Sequence, residues 1–400
     1  MHMLSVIGAV SAPSGGWSTL IEWVHSWVKG GYGWTILVLI LLLKVALIPL
    51  DYLIKHTSKK QSLVQQKLAP EIAKLNKKYG DNQQMIQQQT QALYKREKFN
   101  PSGSCVVMLV NLVVTMVIFF TLFSGLKTLS AYQSIEQYDS LHNTYIASVT
   151  GSYGSLEEYQ KIANIVAKKA NNEELSAEEQ AIFTEQAQAD WELAVQNAQT
   201  AIEEQWDSVK DSWLWVKNVW VADGNASPLP TLEALEKMAT ESKNQEYQNY
   251  VNSIKGNNLS SIEYNTIVNM VANKTGGWNG YYILAILSVG LSVLSQFINE
   301  LSNKHKNKTA QQIVDSANPQ GKSMWFMKLL LPVMMAMFVI TTNAAFGIYV
   351  VTNSLISTLT GLLINVIINK VFEKKQDAVD EHLLKEVHRL EKRKLKGETK

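Results

Sequence analysis

The chain has 400 residues, 37 basic and 35 acidic, with a mean hydropathy of -0.06. That average pools two opposite populations: Leu129 to Trp278 carries 21 acidic and 9 basic residues, and the remainder carries 14 acidic and 28 basic. Every long uncharged apolar run lies in the basic remainder, which excludes a single soluble globule and implies membrane spans with basic segments on one side and a polar domain on the other. The one cysteine, Cys105, excludes a disulfide framework, a Cys-based zinc site and an iron–sulfur cluster. Seven scattered histidines form no HExxH, and GxxxxGK[ST], GxSxG and GxGxxG are absent. Jointly these absences argue against covalent or metal catalysis, so no catalytic residue, metal or cofactor is expected and the chain is not read as an enzyme.

In chain order, Leu4 to Val10 is apolar but short and lacks a preceding Lys or Arg, a poor secretory signal. Trp17, Leu20, Ile21, Val24 and Trp27 share one face of a short amphipathic helix. Within an extracytoplasmic N-terminus (1–33), that face is expected to lie on the membrane interface, the other reading being a helix packed on the polar domain. Trp34 to Ile54 is the first span, since about 20 apolar helical residues cross a bilayer core of about 30 Å. It is interrupted by Lys44 and, near its end, by Asp51.

Lys44 lies ten residues after Trp34 and eleven before Lys55, so it sits about 15 Å from either interface. A cation at that depth costs roughly 2.5–3.5 kcal/mol on insertion scales, and snorkelling does not reach from mid-span. Asp51 is two turns away, and no span has a carboxylate near its centre. Water in a hydrated cavity is then the expected neighbour.

Residues 55–103 hold ten basic and three acidic residues and read as a helical hairpin that projects from the membrane. Leu68, Ile72, Leu75 and Tyr79 follow helical spacing, Gly80-Asp81 makes the turn, a Gln-rich second helix runs to about Lys98, and Pro70 marks a helix start or kink. A solvated loop near anionic lipid heads and a docking arm for a nascent chain or ribosome fit that charge equally. The second span (104–127) has Asn111 and Thr115 four apart, and residues 128–278 read as an extracytoplasmic helical domain, for example Leu175 to Lys210. Its Trp191, Trp206, Trp213, Trp215 and Trp220 are expected in a small core rather than on the membrane.

The third span (279–299) has Ser292 and Gln296 one turn apart, and 300–325 is a short basic loop with Lys304, Lys306, Lys308 and Lys322. Leu329 to Asn369 is uncharged over 41 residues, about 62 Å as one helix, so it divides into a fourth (326–342) and fifth (344–370) span at Thr341-Thr342-Asn343. Asn353 and Ser357 lie four apart in the fifth, before a basic tail (371–400). The polar pairs either tie helices together or share a cavity with Lys44. Five spans place all three basic segments on the cytoplasmic side and the N-terminus outside. The expectation is an all-α five-span membrane bundle.

The motifs carry a resemblance. Leu42-Leu43-Lys44 with Pro49-Leu50, then Pro70-Glu71-Ile72, Lys78-Tyr79-Gly80-Asp81, Gln87-Gln88-Gln89, Leu93-Tyr94-Lys95 and Asn100-Pro101-Ser102-Gly103-Ser104-Cys105 stand in the order found in the YidC/Oxa/Alb family. Leu331-Pro332-Val333-Met334-Met335 and Asn343 to Asn353 resemble its last two spans. The match covers about residues 17–128 and 278–372. Lys44 stands where the family usually has Arg, which keeps the charge but loses the planar donor fork. Asn111 replaces a frequent Gln, Asn343 a Pro and Val350 a Trp, and the insertion has no counterpart in compact members.

The resemblance implies a bacterial plasma-membrane insertase and chaperone for nascent membrane proteins, with a groove open to cytoplasm and lipid. Lys44, Asn111, Thr115, Gln296, Tyr349 and Asn353 are then groove residues, and Pro70, Glu71, Tyr79, Tyr94 and Lys95 belong to a docking hairpin. Ribosome, Sec translocon and lipids are expected partners, and DNA is not. The alternatives are a small-anion transporter or channel, for which no internal repeat is visible, and a membrane sensor using the insertion.

Overall fold

The computed structural model describes residues 10–80, 82–97, 101–303 and 325–395. Leu4 to Ala9, Asp81, Lys98 to Asn100 and the loop lysines Lys304, Lys306, Lys308 and Lys322 lie outside them. Thirteen helices form among the described residues: α1 (Gly16–His25), α2 (Tyr32–Tyr79), α3 (Gln83–Arg96), α4 (Pro101–Tyr153), α5 (Leu156–Ala170), α6 (Ala177–Ile182), α7 (Glu185–Val209), α8 (Leu232–Ser242), α9 (Gln245–Lys255), α10 (Asn258–Thr275), α11 (Ile283–Asn303), α12 (Trp325–Thr341) and α13 (Ala344–Leu395). No strand forms among these residues; two isolated bridges join Trp213 to Val216 and Ala222 to Asn343. The chain is an all-helical membrane protein: α2, α4 and α13 are long and apolar enough to cross a membrane, and α11 and α12 contribute shorter apolar segments.

Two compact units divide the chain: Met1–Leu39 with Phe120–Leu287 and Ala336–Val350, and Ile40–Phe119 with Ser288–Met335 and Val351–Lys400. In the first unit, α4 continues without a break from apolar sequence into the polar insertion, because no Pro or paired Gly interrupts Leu126 to Tyr153. Its Ile135, Tyr138, Leu141, Tyr145 and Val149 form one stripe of a core completed by Ala198, Ile202 and Trp206 of α7 and by apolar residues of α8, α9 and α10. Three of the five tryptophans of the insertion, Trp206, Trp213 and Trp220, are buried; Trp191 and Trp215 are half-buried. Leu175 to Lys210 is helical, in two helices, α6 and α7. Ser176 and Glu179 form a reciprocal capping box that starts α6, and Thr184 caps a second start at α7.

The N-terminal residues pack on this domain. Ser11 N donates to Glu246 Oε1 at 2.9 Å, and Tyr247 OH donates to Ser11 O at 2.9 Å. Of the apolar face read from spacing, Ile21 and Val24 of α1 are buried within the unit while Trp27, just beyond the helix, is exposed, so that face is split between protein contact and exposed indole. The turn between α12 and α13 falls at Thr342-Asn343. Asn343 Oδ1 accepts from Phe346 N at 2.9 Å, and the next free donors, Ala344 N and Ala345 N, bond Val221 O and Val219 O at 2.9 and 2.7 Å. An Asn cap plus two loop carbonyls satisfies a buried helix start where a proline was the family's usual residue.

In the second unit, α2 runs through Pro49 and Pro70. Pro70 therefore starts no helix: the one backbone bond it removes is outweighed by burial of Leu68, Ala69 and Ile72 beside it. The hairpin turn is at Gly80, in the left-handed region at φ 52, and Asn82 Oδ1 caps α3 by accepting from Met85 N at 3.1 Å.

Candidate functional site

Lys44 sits on a half-buried face of α2. Leu41, Leu42, Val45, Ala46, Ile48 and Pro49 are exposed around one side of the helix, whereas Leu43, Lys44, Leu47, Asp51 and Lys55 lie on the partly covered side. Lys44 has no hydrogen bond or ion pair among the described residues.

The covered side faces α13, and the contact register can be read directly. Lys55 Nζ donates to Gly361 O and to Asn365 Oδ1, both at 2.9 Å. Further along, Leu63 packs with Ile364, Ile368 and Phe372, Gln376 Nε2 donates to Gln66 Oε1 at 3.2 Å, and Lys74 pairs with Glu386 at 3.1 Å. Partner numbers rise together, with separations of 306 to 312, so the two helices run parallel in a fixed register. Applying the same separation to Lys44 gives residues 350–356, and Asn353 stands at the middle of that range. The register thus sets Asn353 at the depth of Lys44, with no hydrogen bond between them among the described residues.

The other expected groove residues distribute as follows. Asn111 lies on the half-buried face of α4 with Val114 and Ile118, whereas Thr115, one turn on, is exposed at the edge of that face. Gln296 is half-buried on α11. Tyr349 is buried in the first unit, its ring centroid 5.8 Å from that of Phe346, whereas the other five belong to the second.

In the hairpin, the Arg96 guanidinium donates to both oxygens of Glu71 at 2.8 and 2.9 Å, and Lys67 pairs with Glu97 at 2.6 Å. Glu71 thereby fastens α3 to α2. The charge-assisted bond holds the Glu97 carboxyl below the usual carboxylate range, the Lys67 ammonium being the main cause. Pro70 is buried, Tyr79 and Tyr94 are half-buried, and Lys95 is exposed. The Lys78 ammonium lies 5.2 Å from the Tyr79 ring centroid.

Sequence reasoning missed the residues that fix this arrangement: Lys55, Gln66, Lys74, Gln376 and Glu386. The signal was present in the tail, where Phe372, Val379, Leu383 and Val387 repeat at helical spacing; Phe372, Leu383 and Val387 are buried. Charge counting hid it, because the tail reads as basic while Glu386 offsets a hairpin lysine. Among the described residues no cluster of three or more His, Cys, Asp or Glu is placed to hold a metal.

Comparison with known proteins finds similarity over part of the chain. The model of the family described as "60Kd inner membrane protein" matches residues 23–182. A membrane protein insertase YidC of Thioalkalivibrio sulfidiphilus is 31% identical over 108 residues, which are 27% of this chain and 18% of that protein. The YidC of Bordetella avium is 32% identical over 109 residues, 27% of this chain and 19% of that protein, and the YidC of Stenotrophomonas maltophilia is 33% identical over 125 residues, 31% of this chain and 20% of that protein. The chain thus spans about a fifth of the length of these curated relatives. No solved structure matches. Through the segment that carries Lys44, the hairpin and α4, the chain is similar to the 60Kd inner membrane protein family and to these YidC insertases.

Proposed function

We propose that the chain is a membrane protein insertase that crosses the bilayer five times, N-terminus outside and basic tail in the cytoplasm, and moves short polar segments through a hydrated groove around Lys44. The supporting observation is the position of Lys44: an ammonium with no hydrogen bond or ion pair among the described residues, midway along the first apolar run, on the half-covered side of α2 and at the depth of Asn353. A lone cation there costs roughly 2.5–3.5 kcal/mol unless water or acceptors reach it. Asn353 on α13 and Asn111 on α4 are polar groups of the same unit that can hold that water.

The work such a site does is electrostatic and solvational. A polar passenger segment entering hydrocarbon loses its hydration, at several kcal/mol per unsatisfied group. A water-filled half-channel shortens the dry path, and Lys44 attracts the passenger's carboxylates, its field focused by the apolar walls around the water. The passenger's apolar helix then partitions into lipid beside the exposed faces of α2, α4 and α11. That partitioning supplies the driving force, so the step forms no covalent bond and needs no nucleotide. The hairpin, pinned by Glu71–Arg96, presents Lys95 and its basic neighbours to the nascent chain or ribosome, and the Sec translocon is a further partner.

Lys44→Glu and Lys44→Arg separate charge from shape. In proteoliposomes, insertion of an acidic-tailed single-span substrate is expected to be abolished by Lys44→Glu and retained by Lys44→Arg. Equal insertion by Lys44→Glu rejects the electrostatic role.

A further inference from the structure

Residues Asp211 to Val221 of the insertion fold back on the first turn of α2. Trp213 N donates to Val216 O and Val216 N to Trp213 O, both at 2.9 Å, closing a two-residue turn with Leu214 and Trp215 at its tip. Leu214 adopts φ 51, a left-handed conformation that Asn or Gly adopts at less cost than Leu. Leu214 is also 64% exposed, more than any other large apolar side chain described between residues 129 and 278. An exposed leucine in a conformation that disfavours it calls for a ligand rather than for turn chemistry.

The surroundings identify that ligand. A Cβ on Gly33 would lie 2.3 Å from Trp213 Cγ, so the Trp213 ring rests directly on the α2 backbone, and the Trp34 ring meets it edge-on at 5.9 Å. Gly33 and Trp34 stand where the apolar run of α2 begins, which sets the tip at the depth where α2 enters the bilayer. Lys217 Nζ donates to Thr275 O and Gly277 O, both at 2.7 Å, tying this loop to the residues just before α11. There Trp278 and Tyr281 are exposed immediately ahead of the apolar run of α11, so two apolar helices begin beside the same outward-facing patch.

Charge agrees with this placement. Residues 129–278 carry a net of −12, yet Ser212 to Ala222 and Lys274 to Tyr282 hold no carboxylate and contribute Lys217 and Lys274. Asp211, just before the turn, has its Oδ2 engaged by Trp220 Nε1 at 2.6 Å. The acids that border this stretch are engaged as well: Asp207 pairs with Lys210 and Lys274, and Asp223 Oδ2 accepts from Leu284 N. Tryptophan and tyrosine with flanking lysines are the side chains that lipid headgroups accommodate.

We infer that the Leu214–Trp215 tip inserts into the headgroup region of the adjacent leaflet, making a phospholipid surface the partner of this face and anchoring the insertion to the membrane. The inference rests on α2 and α11 crossing the bilayer and is independent of what the groove carries. The test uses the full chain with Cys105→Ser, carrying a nitroxide at Leu214→Cys or, as control, at Leu193→Cys on α7, another exposed position of the same domain. The protein is placed in nanodiscs of phosphatidylethanolamine and phosphatidylglycerol, and collisions with oxygen and with a water-soluble nickel chelate are measured. Oxygen should dominate at 214 and nickel at 193. Nickel dominance at both positions overturns the inference. So does spin–spin broadening at 214 that disappears on dilution with unlabelled protein, which assigns the tip to a second copy.

Discussion

Lys55→Met attacks the register that brings Lys44 and Asn353 to one depth. The ammonium makes two hydrogen bonds across the helix pair, to Gly361 O and Asn365 Oδ1, and both partners stay behind when it is removed. A hydrogen bond from a charged donor is worth about 1.5–3 kcal/mol net. Both bonds here are only part-buried, so water compensates some of the loss and the low end applies, giving about 2–3 kcal/mol for Lys55→Met. Asn365→Leu removes one acceptor and should cost about 1 kcal/mol, with a coupling between the two substitutions of about 1–1.5 kcal/mol. Unfolding equilibria of the four proteins of the cycle in mixed micelles measure this. A disulfide formed between Leu63→Cys and Ile368→Cys in a Cys105→Ser background reports the same register independently, and its yield should fall in Lys55→Met. A coupling indistinguishable from zero with unchanged disulfide yield refutes the cross-helix bonds, and with them the placement of Asn353.

Other substitutions probe the remaining elements. In the insertion, Glu263 Oε2 lies 3.1 Å from His142 Nε2 and Oε1 accepts from Tyr159 OH at 2.6 Å, all buried; Glu263→Leu, which strands both partners, should cost about 3–5 kcal/mol in tryptophan-monitored unfolding. Adding His142→Leu and Tyr159→Phe to it should recover most of that loss. Asn343→Ala removes the cap of α13 and should cost about 1 kcal/mol by the same measurement, no change meaning that the loop carbonyls alone hold the turn. Burial raises the Asp211 carboxyl above the usual aspartate range, so the folded state binds the proton more readily than the unfolded chain. Stability from this group is then highest in acid and falls as pH rises from the ordinary aspartate value through the raised one, and Asp211→Asn, which keeps an acceptor for Trp220, should flatten that slope in thermal melts. A slope identical to wild type contradicts the assignment.

Much of this architecture was legible because hydrocarbon leaves few choices. The apolar run from Trp34, the 41-residue run that must fold back at Thr342-Asn343, and the Gly80 turn each follow from length and local chemistry. What stayed hidden depends on pairing between distant segments. Helices α2, α4 and α13 continue past their apolar stretches because the polar extensions keep helical propensity and find partners, as Gln66 does in Gln376 and Lys74 in Glu386. No local signal announces a partner more than 300 residues away. The apolar face of α1 was visible, but spacing alone does not say whether Ile21 meets lipid or protein. In the site itself, Lys44 stood out by cost, and Asn353 became its neighbour in depth only through the register set by Lys55.

The central claim is that water reaches Lys44 from the cytoplasmic side. In a Cys105→Ser background, Lys44→Cys and Val45→Cys put a thiol at nearly the same depth, on the half-covered and on the exposed side of α2 respectively. Thiols react as thiolates and need water to form them. With a membrane-impermeant maleimide added to inside-out vesicles, rapid labelling at 44 and none at 45 is the predicted result. An inert thiol at 44, alkylated no faster than the one facing lipid, contradicts it.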